Sequence, residues 1–208
     1  MTTPLGSLSV DAREGRRVTV SRRTLETDIT LTLDLDGAGT TDVRTGVGFY
    51  DHLLGSFAHH GLFDLAIRIT GDLEVDEHHT VEDVALVLGG ALAEALGDRA
   101  GIARFGDAAV PMDEALATAV VDVGGRPCAV LDLPFRGERI GALPTQLVEH
   151  ALEAFARTSG LTLHLRASGR NDHHVAEAAF KALGRALRVA VAPDPRRAGV
   201  SSTKGSLG

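Results

Sequence analysis

The stretch DEHHTVED, residues 76–83, sets two adjacent histidines between carboxylates, and NDHHVAEA, residues 171–178, repeats the His-His-x-x-Glu pattern 173 − 78 = 95 residues later. Adjacent residues on a helix point about 100° apart, whereas residues four apart share a face. His78 with Glu82, and His173 with Glu177, can therefore each clamp one metal ion. His79 and His174 point elsewhere, toward a second ion each. Two further histidines, His52 and His150, each follow an acid and precede a phenylalanine, Phe57 or Phe155, by five positions. Two ions, each held by one clamp and one odd histidine with a first-helix histidine within reach, would account for all eight groups.

Three His and one Glu suit a borderline divalent ion such as Mn²⁺, Fe²⁺ or Zn²⁺. Octahedral Mn²⁺ would keep two positions open for substrate. A helix N-terminus with acidic caps and solvated histidines would explain one such stretch. Its recurrence at the matching place in a duplicated unit favours metal.

That duplication is read from the elements that must position the histidines. TLETDITLTLDLDG alternates with period two, a half-buried strand paired with RRVTVSR before it. GFYDHLLGSFAHHG reads as a helix ended by Gly61, LFDLAIRITG as a strand, and EHHTVEDVALVLGGALAEALG as a helix closing at Gly97. In the second half EALATAVVDVGGRPCAVLDLPF reads as two strands around Gly124-Gly125. PTQLVEHALEAFARTSG, LTLHLRASG and DHHVAEAAFKALGRALRVAV follow as helix, strand and helix. The expected fold class is α/β (α+β), with internally duplicated β-β-α-β-α units forming two sheets with covering helices. The expected limits are a flexible tail at 1–15, repeat halves at 16–100 and 101–195, and a C-terminal substrate-binding tail at 196–208.

The hydrophobic fraction of 44 % supports a core of Val, Leu, Ala and Ile, since aromatics are 4 % and Trp is absent. A net charge of −7 argues against a general nucleic-acid or anionic-membrane binder, but allows a local basic pocket for a small phosphorylated ligand. Cys128, without a partner, fits a reducing compartment. MTTPLGSLSVDAREGRR has no apolar core of signal-peptide length, and no run reaches the roughly 18 residues of a membrane span. The expectation is a cytoplasmic protein.

From RRTLETDI to SSTKGSL the chain resembles the imidazoleglycerol-phosphate dehydratases. The likeness rests on GFYDHLLGSFAHHGLFDL, GDLEVDEHHTVED, GIARFGDAAVPMDEAL, VDVGGRP, VEHALEAFA and GRNDHHVAEAAFKALGRAL. The resemblance implies a monofunctional lyase that dehydrates D-erythro-imidazoleglycerol phosphate to imidazoleacetol phosphate in histidine biosynthesis, through a metal-bound imidazolate. It implies two Mn²⁺ per active site, with trimers assembling into a 24-mer and active sites at subunit boundaries. One ion would take His52, His79, His173 and Glu177; the other would take His78, Glu82, His150 and His174. Glu26 would be the substrate-contacting acid/base, with the ligand carboxylates Glu82 and Glu177 as alternative proton carriers. Arg104, Arg126, Ser202 and Lys204 would bind the phosphate. Where the family often has Pro, this chain has Val200-Ser201, so the hydroxyl ligand is open among Ser201, Ser202 and Thr203. That tail is expected to order on assembly or substrate binding. His60 is expected to have a supporting or packing role, His59 and His164 to be solvated, and Cys128 to lie in the core. Asp113 and Glu114 match the family without an assigned role. The alternatives are a dinuclear metal hydrolase, which would need bridging carboxylates, and a metal-binding storage shell, which would need no Glu26, Arg104 or Arg126.

Overall fold

The computed structural model describes residues 6–207. In chain order the first half holds β1 (Ser9–Glu14), β2 (Arg17–Arg23), β3 (Thr27–Asp34), β4 (Thr41–Arg44), α1 (Gly48–Gly61), β5 (Asp64–Gly71) and α2 (His78–Leu96). The second holds β6 (Phe105–Met112), β7 (Ala115–Asp122), β8 (Cys128–Asp132), the two-residue strands β9 (Arg139–Ile140) and β10 (Leu143–Pro144), α3 (Thr145–Ser159), β11 (Thr162–Ser168) and α4 (Asp172–Ala190).

The duplication is visible in the sheets. One runs β1-β2-β3-β5-β4 and the other β6-β7-β11-β8. Without β1 the two orders are the same, with β4 parallel to β5 and β8 parallel to β11. The repeating unit is thus β-β-β-α-β-α, one strand longer than the sequence pattern implies. β4 and β6 are the strands that pattern missed. β4 is short and mostly exposed, and β6 carries Gly106 and Pro111 on a sheet edge, where a missing N–H costs no ladder bond. β7 and β8 flank Gly124-Gly125 as expected but are not neighbours, because β11 lies between them. The expected tail at 1–15 is corrected in part. Ser9–Glu14 pairs antiparallel with β2, and this added strand is almost fully exposed, its apolar Val10 and Ala12 included, so no buried face reveals it. Residues 1–5 lie outside the described residues.

Alternation decides which face each sheet buries. Ile29, Leu31 and Leu33 of β3 and Ala117, Ala119 and Val121 of β7 point inward. α2 covers the first sheet and α4 the second, while α1 packs on α4 and α3 on α2. The helices therefore form the middle of the molecule, where Tyr50, Leu54, Leu88, Leu152, Phe180 and Leu183 converge on one apolar space. Phe57 and Phe155 meet edge-on there, ring centroids 6.0 Å apart, an arrangement worth about 0.5–1.5 kcal/mol beyond burial.

Two glycines let the helices cross closely. Gly184 of α4 lies against the Phe57 carbonyl of α1, and Gly89 of α2 against the Phe155 carbonyl of α3; a Cβ at either would overlap that backbone oxygen. Each stands eleven residues after the first histidine of its pair (184 − 173 and 89 − 78). The duplicated sequence thus repeats the crossing as well as the ligands. Among the described residues no helix is long and apolar enough to cross a membrane.

Candidate functional site

α1 and α4 bring His52, His173 and Glu177 together, with ligand atoms within 4.8 Å of one another. His52 Nε2 and His173 Nε2 each lie 3.0 Å from Glu177 Oε2. Lys181, one turn further along α4, places Nζ 2.7 Å from Glu177 Oε1. Burial works against ionisation of Glu177, but hydrogen bonds from His52 and Lys181 overcome it and hold the carboxyl at about 2. Lys181 was not singled out from sequence, although its i+4 spacing from Glu177 is a readable signal.

α2 and α3 build the second cluster from His78, Glu82 and His150, again within 4.8 Å. His78 Nε2 is 3.8 Å from Glu82 Oε2, His150 Nε2 is 3.3 Å from Glu82 Oε1, and Arg157 Nη2 is 3.3 Å from the same oxygen. His150 Nε2 is buried and makes no hydrogen bond. Each clamp comes from one repeat and meets the first-helix histidine of the other.

His79 and His174 join neither cluster. Adjacent helical positions send these side chains in a different direction from His78 and His173, and the ring planes of each pair lie 83° and 88° apart. His79 Nδ1 lies 2.9 Å from Asp72 Oδ2, a hydrogen bond that raises the histidine's pKa. His174 Nδ1 lies 2.8 Å from Glu114 Oε2, and that bond leads the interactions that hold the Glu114 carboxyl down at about 2. Of the four ligands expected for each ion, one chain therefore brings three together.

Glu26 sits in the turn between β2 and β3, half exposed, with Oε1 3.7 Å from His79 Nε2. The turn is firmly held. Thr24 Oγ1 accepts the backbone N–H groups of Glu26 and Thr27 at 3.1 and 2.9 Å. Thr27 Oγ1 donates to the buried Asp83 of α2 at 2.5 Å, and Arg22 pairs with the other Asp83 oxygen. Asp83 escaped the sequence reading because its partners are distant in the chain.

Arg104, Arg126, Ser202, Thr203 and Lys204 line one pocket. Arg104 has a left-handed backbone, φ 76°, and donates through Nε and Nη2 to both Asp122 oxygens at 2.6 and 2.9 Å, which raises its pKa further. Its Nη1 donates to the Ser201 carbonyl. The C-terminal segment folds back onto the residues that precede β6. Ala100 bridges Val200, and Gly101 exchanges backbone hydrogen bonds with Gly199 and Asp194. Ser202 and Thr203 line the pocket, whereas Ser201 turns its carbonyl to Arg104.

The remaining candidates are peripheral. His60 is half-buried, its pKa lowered first by burial and then by Lys181. His59 and His164 are exposed, as expected. Cys128 is corrected: it begins the edge strand β8 and is exposed, because the alternation places it on the outward face.

A family model of imidazoleglycerol-phosphate dehydratase matches residues 45–187. The imidazoleglycerol-phosphate dehydratase of Methanoculleus marisnigri is 57% identical over 188 residues, which is 90% of this chain and 97% of that protein. That of Acidiphilium cryptum is 55% identical over 194 residues, 92% and 99% of the two chains. The crystal structure of imidazoleglycerol-phosphate dehydratase from Staphylococcus aureus is similar at a TM-score of 0.75 and 36% identity, covering 80% of this chain and 95% of that one. IGPD from Pyrococcus furiosus in complex with (S)-C348 gives 0.78 and 38%, covering 90% and 99%. The match extends over both repeats and both clusters, and the chain belongs to the imidazoleglycerol-phosphate dehydratase family, a family of hydro-lyases.

Proposed function

We propose that this chain dehydrates D-erythro-imidazoleglycerol phosphate to imidazoleacetol phosphate in histidine biosynthesis, with two divalent ions, Mn²⁺, at each active site. The observation that carries the reading is the pair of three-donor clusters, His52/His173/Glu177 and His78/Glu82/His150. Their donors fit the metal. Each set offers two imidazole nitrogens and one carboxylate, and the buried Nε2 of His150, close to Glu82 but making no hydrogen bond, is a ligand atom that a cation would satisfy. Held there, the ions would supply Lewis acidity to the imidazole ring of the substrate and lower its pKa, so that the ring could act as electron source.

The chain's own residues do the rest. Glu26, on a turn tied to α2 and facing the His79 ring, carries protons to and from the substrate carbons. Glu82 and Glu177 act as ligands, with Lys181 neutralising Glu177. Arg104, Arg126, Ser202 and Lys204 receive the phosphate, with Arg104 oriented by Asp122. A storage shell would have no use for that cationic pocket.

His79 and His174, outside both clusters in their own chain, complete the ligand sets of neighbouring copies. This makes the enzyme a homo-oligomer with active sites at subunit boundaries, consistent with trimers assembling into a 24-mer in the cytoplasm. The outward face of the second sheet, where Phe105, Leu116, Val120 and Val130 are exposed, supports association.

The test is turnover by purified protein stripped with a chelator and reloaded with Mn²⁺. Keto product is expected only after reloading. A folded, fully metallated assembly that forms none overturns the reading.

A further inference from the structure

Each half of the fold places a glutamate at the turn leading into its second repeat strand. Glu26 precedes Thr27, the first inward-facing residue of β3, and Glu114 precedes Ala115, the first inward-facing residue of β7. β3 and β7 occupy the same place in the two sheet orders, so the glutamates are counterparts. Both face the second histidine of their own half's pair, but at different atoms. Glu114 Oε2 takes His174 Nδ1 at 2.8 Å, whereas Glu26 Oε1 stands 3.7 Å from His79 Nε2. In the first half Nδ1 is taken by Asp72, the residue directly after β5, at 2.9 Å. The residue directly after β11 is Gly169, which has no side chain to offer.

We infer that Asp72 and Glu114 are positioning residues that hold Nδ1 of His79 and His174 as a donor and thereby present Nε2 to the metal. This rests on the metal-dependent reading above. A neutral imidazole carries one N–H and one lone pair, and a carboxylate on the first fixes both the tautomer and the ring plane for the second. Neither Nε2 makes a hydrogen bond: Glu26 and Asp113 each stay 3.7 Å away. Glu114 does a second task with Oε1, which accepts the backbone N–H groups of Arg170 and Asn171 at 3.1 and 2.8 Å. Asn171 in turn caps α4 by accepting from His173 N at 3.0 Å. One carboxylate thus sets the entry of the ligand helix and the orientation of its odd histidine. The two halves have divided the work: Asp72 takes over orientation in the first half, which frees the turn glutamate Glu26 for substrate.

The test is Mn²⁺ titration of the metal-stripped full-length protein by calorimetry. Wild type is compared with Asp72→Ala, Asp72→Asn, Glu114→Ala and Glu114→Gln, and the fold of each metal-free variant is checked by circular dichroism and thermal melting. The alanine variants are expected to bind Mn²⁺ about 10–100-fold more weakly. The amide variants, whose carbonyl oxygen still accepts from Nδ1–H, are expected to recover part of that loss. Folded alanine variants that bind as tightly as wild type overturn the inference. If Glu114→Ala does not fold, Asp72→Ala and Glu114→Gln decide it. Wild type that binds no divalent ion would instead sink the metal-dependent reading itself.

Discussion

His52 Nε2 lies 3.0 Å from Glu177 Oε2, although 177 − 52 = 125 residues separate them. The contact exists because α1 and α4 cross closely at Gly184, where the Phe57 carbonyl fills the space of a side chain. Gly184→Ala is therefore expected to destabilise the fold by about 1–3 kcal/mol, the usual cost of overpacking, and to weaken metal at the His52 cluster. Gly89→Ala should do the same at the His150 cluster. Denaturant melts with Mn²⁺ titration check both, and an unchanged midpoint in either would contradict the crossing argument.

The two clusters share no residue. His150→Ala should thus remove one ion per chain and spare the other, halving the bound Mn²⁺. Metal analysis after gel filtration measures this, and loss of all bound metal would mean that the clusters are not independent.

Glu26 sits outside both clusters on a turn fixed by Thr24, Thr27 and Asp83. Glu26→Gln is expected to lower kcat by about 10²–10⁴-fold, the range for losing a general acid or base, with metal content unchanged. Steady-state kinetics with metal analysis on the same sample tests this.

Arg126, an exposed residue, lines the cationic pocket. Arg126→Ala should raise KM for the phosphorylated substrate about 10–100-fold, as the loss of about 1.5–3 kcal/mol from a charged hydrogen bond implies. The effect should shrink in high salt. An unchanged KM would move the phosphate elsewhere.

Acid stability should report Asp64. Its Oδ1 accepts the backbone N–H groups of Thr40 and Ala38 at 2.8 and 2.9 Å, and these bonds, Thr40 first, lower its pKa from 3.8. A carboxyl lowered on folding adds stability above its unfolded value, and that stability is lost as pH falls through the folded one. Asp64→Asn should thus flatten the pH dependence of unfolding below about 3.8, relative to wild type. Parallel slopes for the two proteins in acid melts would refute it.

The amino-acid sequence by itself determined the local chemistry. The i,i+4 spacing of His78 with Glu82 and His173 with Glu177 sets each clamp wherever the segment is helical, and period-two alternation chose the buried face of β3. Duplication was legible because both halves repeat these short-range patterns. Short or exposed strands were not: β1 and β4 bury almost nothing, and in β6 Gly106 and Pro111 interrupt the strand signal although Ala108, Val110 and Met112 pack on the core, so these three emerged only in the sheets.

Only the tertiary structure decided which distant groups meet. Spacing left open which first-helix histidine serves which clamp, and the resemblance supplied that pairing. The physical cause is the close approach at Gly184 and Gly89, which crosses α1 over α4 and α3 over α2. Arg104, Arg126 and Ser202 converge because the C-terminal segment hydrogen-bonds back to residues 100–104. Asp72 and Glu114 reach His79 and His174 through turns, whose geometry depends on strand register and not on helical period.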